Sequence, residues 1–352
     1  MTELTFDPLE LMRNNPGAMN IPGGLLTKKG AQPYVGCVPA VVGTLFFTDA
    51  HLSAVRDAIA ACFDSYELKV KPELTWLFRE DPPEGPSKQS VAKAKRLDAM
   101  LAAMDEDDGL SFHYTSGQQE HDAGPWEFRV TGLPAWQASM GDWGLCGLRF
   151  AVPLLFVEEQ PSTFVNLFVE FARRLRAVHG YAGHGLVLSA LRDIENQAFE
   201  AFLTSKLRGF DAGSLIAGAT NAHQGIKTVG WLTAISHGYL EKIGGESTLR
   251  SELPMDWFGL HGYGDGVVIQ AGPRPEPAPA DAPLPALLVL PNMLLQRIRT
   301  PEVGLHYASA NSESRLIGRA ATEWLQRLDV PAEQIMAFKA KLLDEPRLTA
   351  HR

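Results

Sequence analysis

Apolar residues recur along this chain in two rhythms, one suited to strands and one to helices. Val38–Phe47 is a β-branched and aromatic run, which predicts a strand. Asp49 follows as an N-cap, and Leu52, Val55, Ile59 and Phe63 then recur at helical spacing. Leu74–Arg79 predicts a second strand, and Asp81-Pro82-Pro83-Glu84-Gly85-Pro86 predicts a loop. Ser87 caps a predicted helix with Val91, Ala94, Leu97, Leu101 and Met104 on one face. That helix runs out at Asp105-Glu106-Asp107-Asp108-Gly109, and Leu110–Thr115, Trp126–Thr131 and Leu145–Val157 are further strand candidates.

The clearest helix follows. Ser162 caps it, and Phe164, Leu167, Phe168, Phe171, Leu175 and Val178 form a broad apolar face. Arg173, Arg174 and Arg176 suit the negative end of its dipole, and Gly180 marks its stop. Further helices are predicted over Ile194–Lys206, Val229–Ile243, Leu287–Arg297 and Ser314–Leu328, with a strand at Val267–Gln270. Pro273–Pro285 reads as a Pro/Ala-rich loop, and Pro331 restarts a last helix with Ile335, Phe338 and Leu342. Strands and helices mix without βαβ alternation. The expected class is therefore α+β, a mixed or antiparallel sheet packed with several amphipathic helices. Residues 1–33, rich in turn signals, read as an N-terminal arm, 34–330 as the body, and 331–352 as a C-terminal helix and tail. Strand 41–47 with helix 50–64 echoes strand 150–157 with helix 163–178, which leaves two related lobes open, 34–140 and 141–330.

Composition narrows the function. The chain has 352 residues, 45% of them hydrophobic, enough for a large core. Its formal net charge is -9, which argues against direct nucleic-acid binding and suits a basic partner. Cys37, Cys62 and Cys146 lie far apart in apolar company and read as buried free thiols in a reducing compartment. No signal peptide opens the chain, and the longest apolar runs are too short to span a bilayer, so a cytoplasmic location is expected.

The chemical motifs are fragmentary. Ala234-Ile235-Ser236-His237-Gly238 nearly matches a nucleophile elbow, but Ser236 falls inside the predicted helix 229–243, where a strained strand-to-helix turn is required. His261-Gly262-Tyr263-Gly264 resembles an oxyanion loop in the wrong chain order. Gly180-Tyr181-Ala182-Gly183-His184-Gly185 is glycine-rich but follows a helix, so it reads as a helix cap and tight turn and not as a phosphate cradle. Glu120-His121-Asp122 could ligate a metal, yet its Gly/Gln-rich setting favours a solvated turn. No cofactor and no metal site are expected.

One ordered set of motifs carries more. Gly180-Tyr181-Ala182-Gly183 is followed by Leu207-Arg208-Gly209-Phe210-Asp211, then by Ile226-Lys227-Thr228-Val229-Gly230-Trp231-Leu232-Thr233 and Gly244-Gly245. Ile269-Gln270-Ala271-Gly272-Pro273, Leu284-Pro285 and Arg297-Ile298-Arg299 complete it. In this order the set resembles the bacterial type VI secretion immunity family TsiV over roughly residues 40–328. The chain departs from the family after Gly272-Pro273, where Arg274-Pro275-Glu276-Pro277 replaces the usual Pro-x-Leu-Gly-Asp. The resemblance implies an immunity protein that binds a co-encoded antibacterial effector, in this family typically a VRR-Nuc type nuclease; with no coherent catalytic site in the sequence, the expected mode is non-enzymatic, by occlusion of the effector's active site. It brings no catalytic residues with it. Trp231 and Tyr181 read as core anchors. The expected partner contacts are acidic: Asp105, Glu106, Asp107 and Asp108, with Glu80, Asp81 and Glu84 in the nearby loop. A serine hydrolase built on Ser236, and immunity to a toxin that is not a nuclease, stand as alternatives.

Overall fold

The computed structural model describes residues 21–22, 34–141, 144–307 and 315–348. The arm expected over 1–33 therefore lies outside the described residues, except for Ile21–Pro22 (β1) and its pairing. The strands after β1 are β2 (Val35–Phe47), β3 (Trp76–Phe78), β4 (Lys88–Ser90), β5 (Leu110–Thr115) and β6 (Glu127–Gly132). They continue as β7 (Cys146–Pro153), β8 (His179–Leu188), β9 (Leu232–Ser236), β10 (Phe258–Gly262) and β11 (Gly266–Ala271). Every pairing is antiparallel, in the order β10-β11-β9-β8-β2-β7-β6-β5-β3-β4. β1 joins the first residues of β2, beyond Ala40 where the pairing with β7 begins.

The helices are α1 (Ser53–Val70), α2 (Leu97–Ala102), α3 (Ala135–Ser139), α4 (Leu154–Glu159), α5 (Pro161–Arg174) and α6 (Asp193–Lys206). Then come α7 (Leu215–Asn221), α8 (His237–Lys242), α9 (Gly245–Glu252), α10 (Ala286–Leu295), α11 (Arg319–Leu325) and α12 (Ile335–Lys341). Helices α1 and α5 cover one face of the central strands and pack against each other. The core beneath them is aromatic. Phe150 stacks on Phe164 at 5.1 Å and meets Phe171 edge-on at 5.0 Å, while Phe63 meets Phe128 at 5.0 Å. Such contacts add about 0.5–1.5 kcal/mol each beyond the area they bury. Gly43 makes the fit possible, since a Cβ there would sit 2.5 Å from the Phe150 ring. Strand alternation sorts the opposite face. Ala234 and Val268 belong to the aromatic core, whereas Ile235, Val267 and Ile269 build a second core with α8, α9, α10 and α12.

Several local expectations are corrected. Gly180–Gly185 is not a cap and turn but the middle of β8, paired along its length with β2. Its glycines answer close approach: a Cβ on Gly180 would lie 2.5 Å from the Thr44 carbonyl oxygen. Helix α5 ends at Arg174, and Arg176 turns the chain with φ 50° before Gly180 is reached. The helix predicted over Val229–Ile243 is instead β9 followed by α8, because Leu232 and Ala234 are buried as fully as Trp231 and Ile235. The helix predicted from Ser87 is broken. Lys88–Ser90 is an edge strand, and Arg96 is extended immediately before α2. Asp49 does not cap α1; it takes φ 63° and its carbonyl receives the Leu52 amide.

Candidate functional site

The acidic residues singled out by sequence lie in two loops at the same end of the sheet, one leaving β3 and one entering β5. β3 and β5 pair with Trp76 opposite Thr115 and Phe78 opposite His113. Past Phe78, the Arg79 guanidinium lies 4.9 Å from the Phe112 ring centre, and residues 80–86 then form the hairpin loop that leads into β4. Each loop is held by its own chemistry. Arg56, 5% exposed on α1, donates to the carbonyls of Met104 and Asp105, and so clamps the start of the second loop from beneath. Asp108 receives the Asp105 amide at 2.7 Å, and the Glu106 carbonyl receives the amide of Ala135 at 2.8 Å. In the first loop, Arg79 donates to the Glu84 carbonyl at 2.8 Å, while Asp81 and Gly85 supply positive φ.

These carbonyl clamps leave the carboxylates outside. Glu80, Asp81, Glu84, Asp105, Glu106 and Asp107 are exposed and Asp108 is half-buried. Among the described residues only Glu84 has a salt bridge, a 3.6 Å contact with exposed Lys95. Trp136 on α3 and Met140 just beyond it are 50% and 62% exposed, and α3 is tied to the acidic turn through the Ala135 amide. Exposed carboxylates beside exposed large apolar groups are the chemistry of a surface that meets a basic protein.

The other charged constellation is one that sequence reasoning missed. Glu127, His113 and Arg149 lie on β6, β5 and β7, facing away from the aromatic core. Glu127 receives His113 Nε2 at 2.8 Å and Arg149 Nε at 2.9 Å, and Arg149 reaches on to the Leu186 carbonyl. Burial alone would raise the Glu127 carboxyl. The Arg149 guanidinium and the His113 hydrogen bond outweigh it and hold the group at about 2. Burial, with Arg129 nearby, pushes the His113 imidazole down, so it donates as a neutral ring. A second buried carboxylate, Glu200 on α6, receives the Gly213 amide at 2.9 Å and His306 Nε2 at 2.7 Å. His306 Nδ1 accepts the Leu316 amide, which fixes this ring as the neutral Nε2–H tautomer. The space between the two constellations is about 30 Å³, room for a water or two. This is a network that fastens α6 and the segment around His306 to the sheet. The sequence signal was faint: isolated charges inside apolar strands.

The remaining motifs resolve into structure. Ser236 does stand at a strand-to-helix junction, contrary to the helix-interior expectation. Its φ and ψ of -70° and 164° are ordinary extended backbone without the strain of an elbow, and among the described residues no histidine bonds its hydroxyl. Neighbouring His237 instead reaches the Gly264 carbonyl at 3.0 Å. In the oxyanion-like segment, Tyr263 is buried and donates to the Ala177 carbonyl. Glu120-His121-Asp122 forms a turn: Asp122 receives the amides of Val35 and Gln119, and Glu120 pairs with Lys88. Among the described residues no group of three His, Cys, Asp or Glu could hold a metal ion. None of the described helices is long and apolar enough to cross a membrane.

The ordered motifs knit the second half together. Trp231, 1% exposed, donates to the Gly272 carbonyl at 3.0 Å and stacks on Phe164. Lys227 pairs with Asp211 at 2.7 Å and lies 4.4 Å from the Tyr181 ring centre. Gly209 lets the Arg274–Pro279 loop close on α6, since a Cβ there would meet the Glu276 carbonyl oxygen at 1.9 Å. The divergent stretch after Pro273 docks through backbone bonds, Arg208 N to Ala278 O and Gly209 N to Pro277 O, and through the Arg274 side chain, which pairs with Glu158 at 2.7 Å.

Comparison with known proteins agrees with this framework. No curated protein matches the chain. A solved Pseudomonas aeruginosa T6SS protein, PA0821, superposes with a TM-score of 0.90 at 43% identity, covering 98% of each chain. The profile of TsiV, described as type VI immunity for VRR-NUC, matches residues 58–328, the span that carries both the acidic end of the sheet and the ordered motifs. The chain belongs to the TsiV family of type VI immunity proteins, whose partner is a VRR-NUC nuclease effector.

Proposed function

We propose that this protein neutralises its nuclease by direct contact, seating the acidic end of the sheet in the basic path that nucleic acid would follow, and that it catalyses nothing itself. The observation that supports it is that Glu80, Asp81 and Glu84 lie at the same end of the sheet as Asp105, Glu106, Asp107 and Asp108, all exposed except half-buried Asp108, with Arg56 beneath the second loop and one salt bridge, from Glu84, among the described residues. A nuclease must present Lys and Arg to phosphates, so a rigid acidic surface competes for the same groups. Long-range attraction of this kind speeds encounter and is screened by salt. The unstrained, unpartnered Ser236 supports a role without catalysis. Three buried free cysteines suit a reducing cytoplasm, where nucleic acid needs protection.

Association kinetics test the reading. Asp105→Lys, Glu106→Lys and Asp107→Lys together should slow association by about 10-fold or more and flatten its salt dependence. Unchanged kinetics in a folded variant would remove this end of the sheet from the interface.

A further inference from the structure

A cavity of about 180 Å³ opens between α1, the 91–97 segment and β5. Its size exceeds the roughly 150 Å³ that holds a benzene ring in an apolar core. Phe63 and Tyr114 line it, ring centres 4.6 Å apart, and Ala94 and Leu97 supply apolar wall. Two polar groups in it have no side-chain hydrogen bond among the described residues. Tyr114 is 2% exposed, and its hydroxyl makes no hydrogen bond. Glu67, half-buried on α1, makes neither a salt bridge nor a side-chain hydrogen bond among the described residues, and burial raises its carboxyl above the ordinary value.

The cations at the rim are already engaged. Lys95 faces Glu84, and Arg96 pairs with Asp64 at 2.8 Å and with Asp98 at 3.4 Å. Arg96 is also the cation that attracts Glu67, so one guanidinium is shared by Asp64, Asp98 and Glu67, and the rim carries more carboxylates than cations. The Lys95–Glu84 contact links the rim of the cavity to the loop that carries Glu80 and Asp81. A folded chain that leaves a buried hydroxyl unsatisfied beside aromatic rings and a half-buried carboxylate bears a cost that a complementary guest removes.

We propose that this cavity is the anchor pocket of the interface and receives one arginine or lysine side chain of the nuclease, an assignment that rests on the function proposed above. The aliphatic stem packs on Ala94 and Leu97, the cation reaches Glu67, and the rings of Phe63 and Tyr114 add cation–π attraction. Buried anchors of this kind carry most of the energy of an interface, while surrounding charges mainly steer encounter.

The test is the Kd between the full chain and its cognate VRR-NUC effector, catalytically inactivated, measured by calorimetry for three proteins. Glu67→Gln keeps the shape and removes the charge, and should weaken binding about 10- to 100-fold, the usual scale for a hydrogen bond to a charged group. Ala94→Leu fills the cavity and should weaken binding at least as much, with thermal melting confirming that both variants fold. Native affinity in folded Glu67→Gln overturns the pocket assignment, whatever Ala94→Leu does. If Glu67→Gln binds normally while the acidic-loop variant associates slowly, the pocket fails and the proposed function stands. If the wild-type chain binds no effector, both fall together.

Discussion

Replacing Glu127 by Leu would show how firmly the buried network fastens the second face of the sheet. Glu127 is 3% exposed and is the acceptor for both His113 and Arg149. Its loss strands a guanidinium that is itself 8% exposed. Removing one partner of a buried ion pair costs about 3–5 kcal/mol. The carboxyl gives a second route to the magnitude. Its folded pKa of about 2 lies below an ordinary Glu at about 4.3, a gap worth about 3 kcal/mol. The two figures agree. Unfolding entropy for a chain near this length, about 0.7 kcal/mol/K, turns that range into a fall in Tm of about 4–7 °C.

The assay is thermal and urea denaturation of Glu127→Leu beside Glu127→Leu/Arg149→Met, in which both charges are gone. The double variant should be the more stable of the two, because an apolar pair avoids the unpaired cation. The folded pKa is depressed, so the contribution of Glu127 is complete above pH ~4.3 and is lost as pH falls toward about 2. Glu127→Gln should therefore flatten the stability profile in that window. A loss under about 1 kcal/mol in Glu127→Leu, or a double variant worse than the single, would refute the reasoning.

Other expectations follow from the same geometry. Gly180→Val places a Cβ against the Thr44 backbone in the centre of the sheet, and should cost about 4 kcal/mol or more, or abolish soluble expression; a native melting curve would contradict it. His179 is fully buried with its Nε2 on the Ala222 carbonyl, and burial lowers its imidazole to about 4. Its contribution is complete above pH ~6.5 and lost as pH falls toward about 4, so its NMR titration should centre near about 4, and an ordinary midpoint would be inconsistent with that burial. Ser236→Ala should protect against the nuclease as well as wild type does, and a fluorophosphonate probe should leave folded wild-type protein unlabelled.

Which parts of the fold were legible followed from how each segment is covered. β2, β5, β6 and β11 announced themselves through β-branched and aromatic runs, and α5 through a one-sided apolar face backed by arginines. β8 did not, because glycines at 180, 183 and 185 remove the side chains whose alternation marks a strand; the sheet needs that emptiness against Thr44, Leu45 and Val42. β9 was mistaken for helix because both faces of the strand are buried, which erases the two-residue period. Trp231, Ile235, Tyr239 and Ile243 then match a helical spacing by coincidence. The acidic loops were legible as composition, and the β3–β5 pairing puts both at one end of the sheet. The Glu127–His113–Arg149 network was not legible, since its members come from three strands and touch only through register. Tyr114 likewise reads in sequence as one more strand aromatic; only its unpartnered hydroxyl sets it apart.

The measurement closest to the central claim is cleavage of DNA by the cognate VRR-NUC effector with and without this protein. Cleavage should fall in proportion to added protein and vanish near equimolar addition, with a stable complex recovered by gel filtration. Cleavage that continues unchanged at saturating protein would contradict neutralisation by contact.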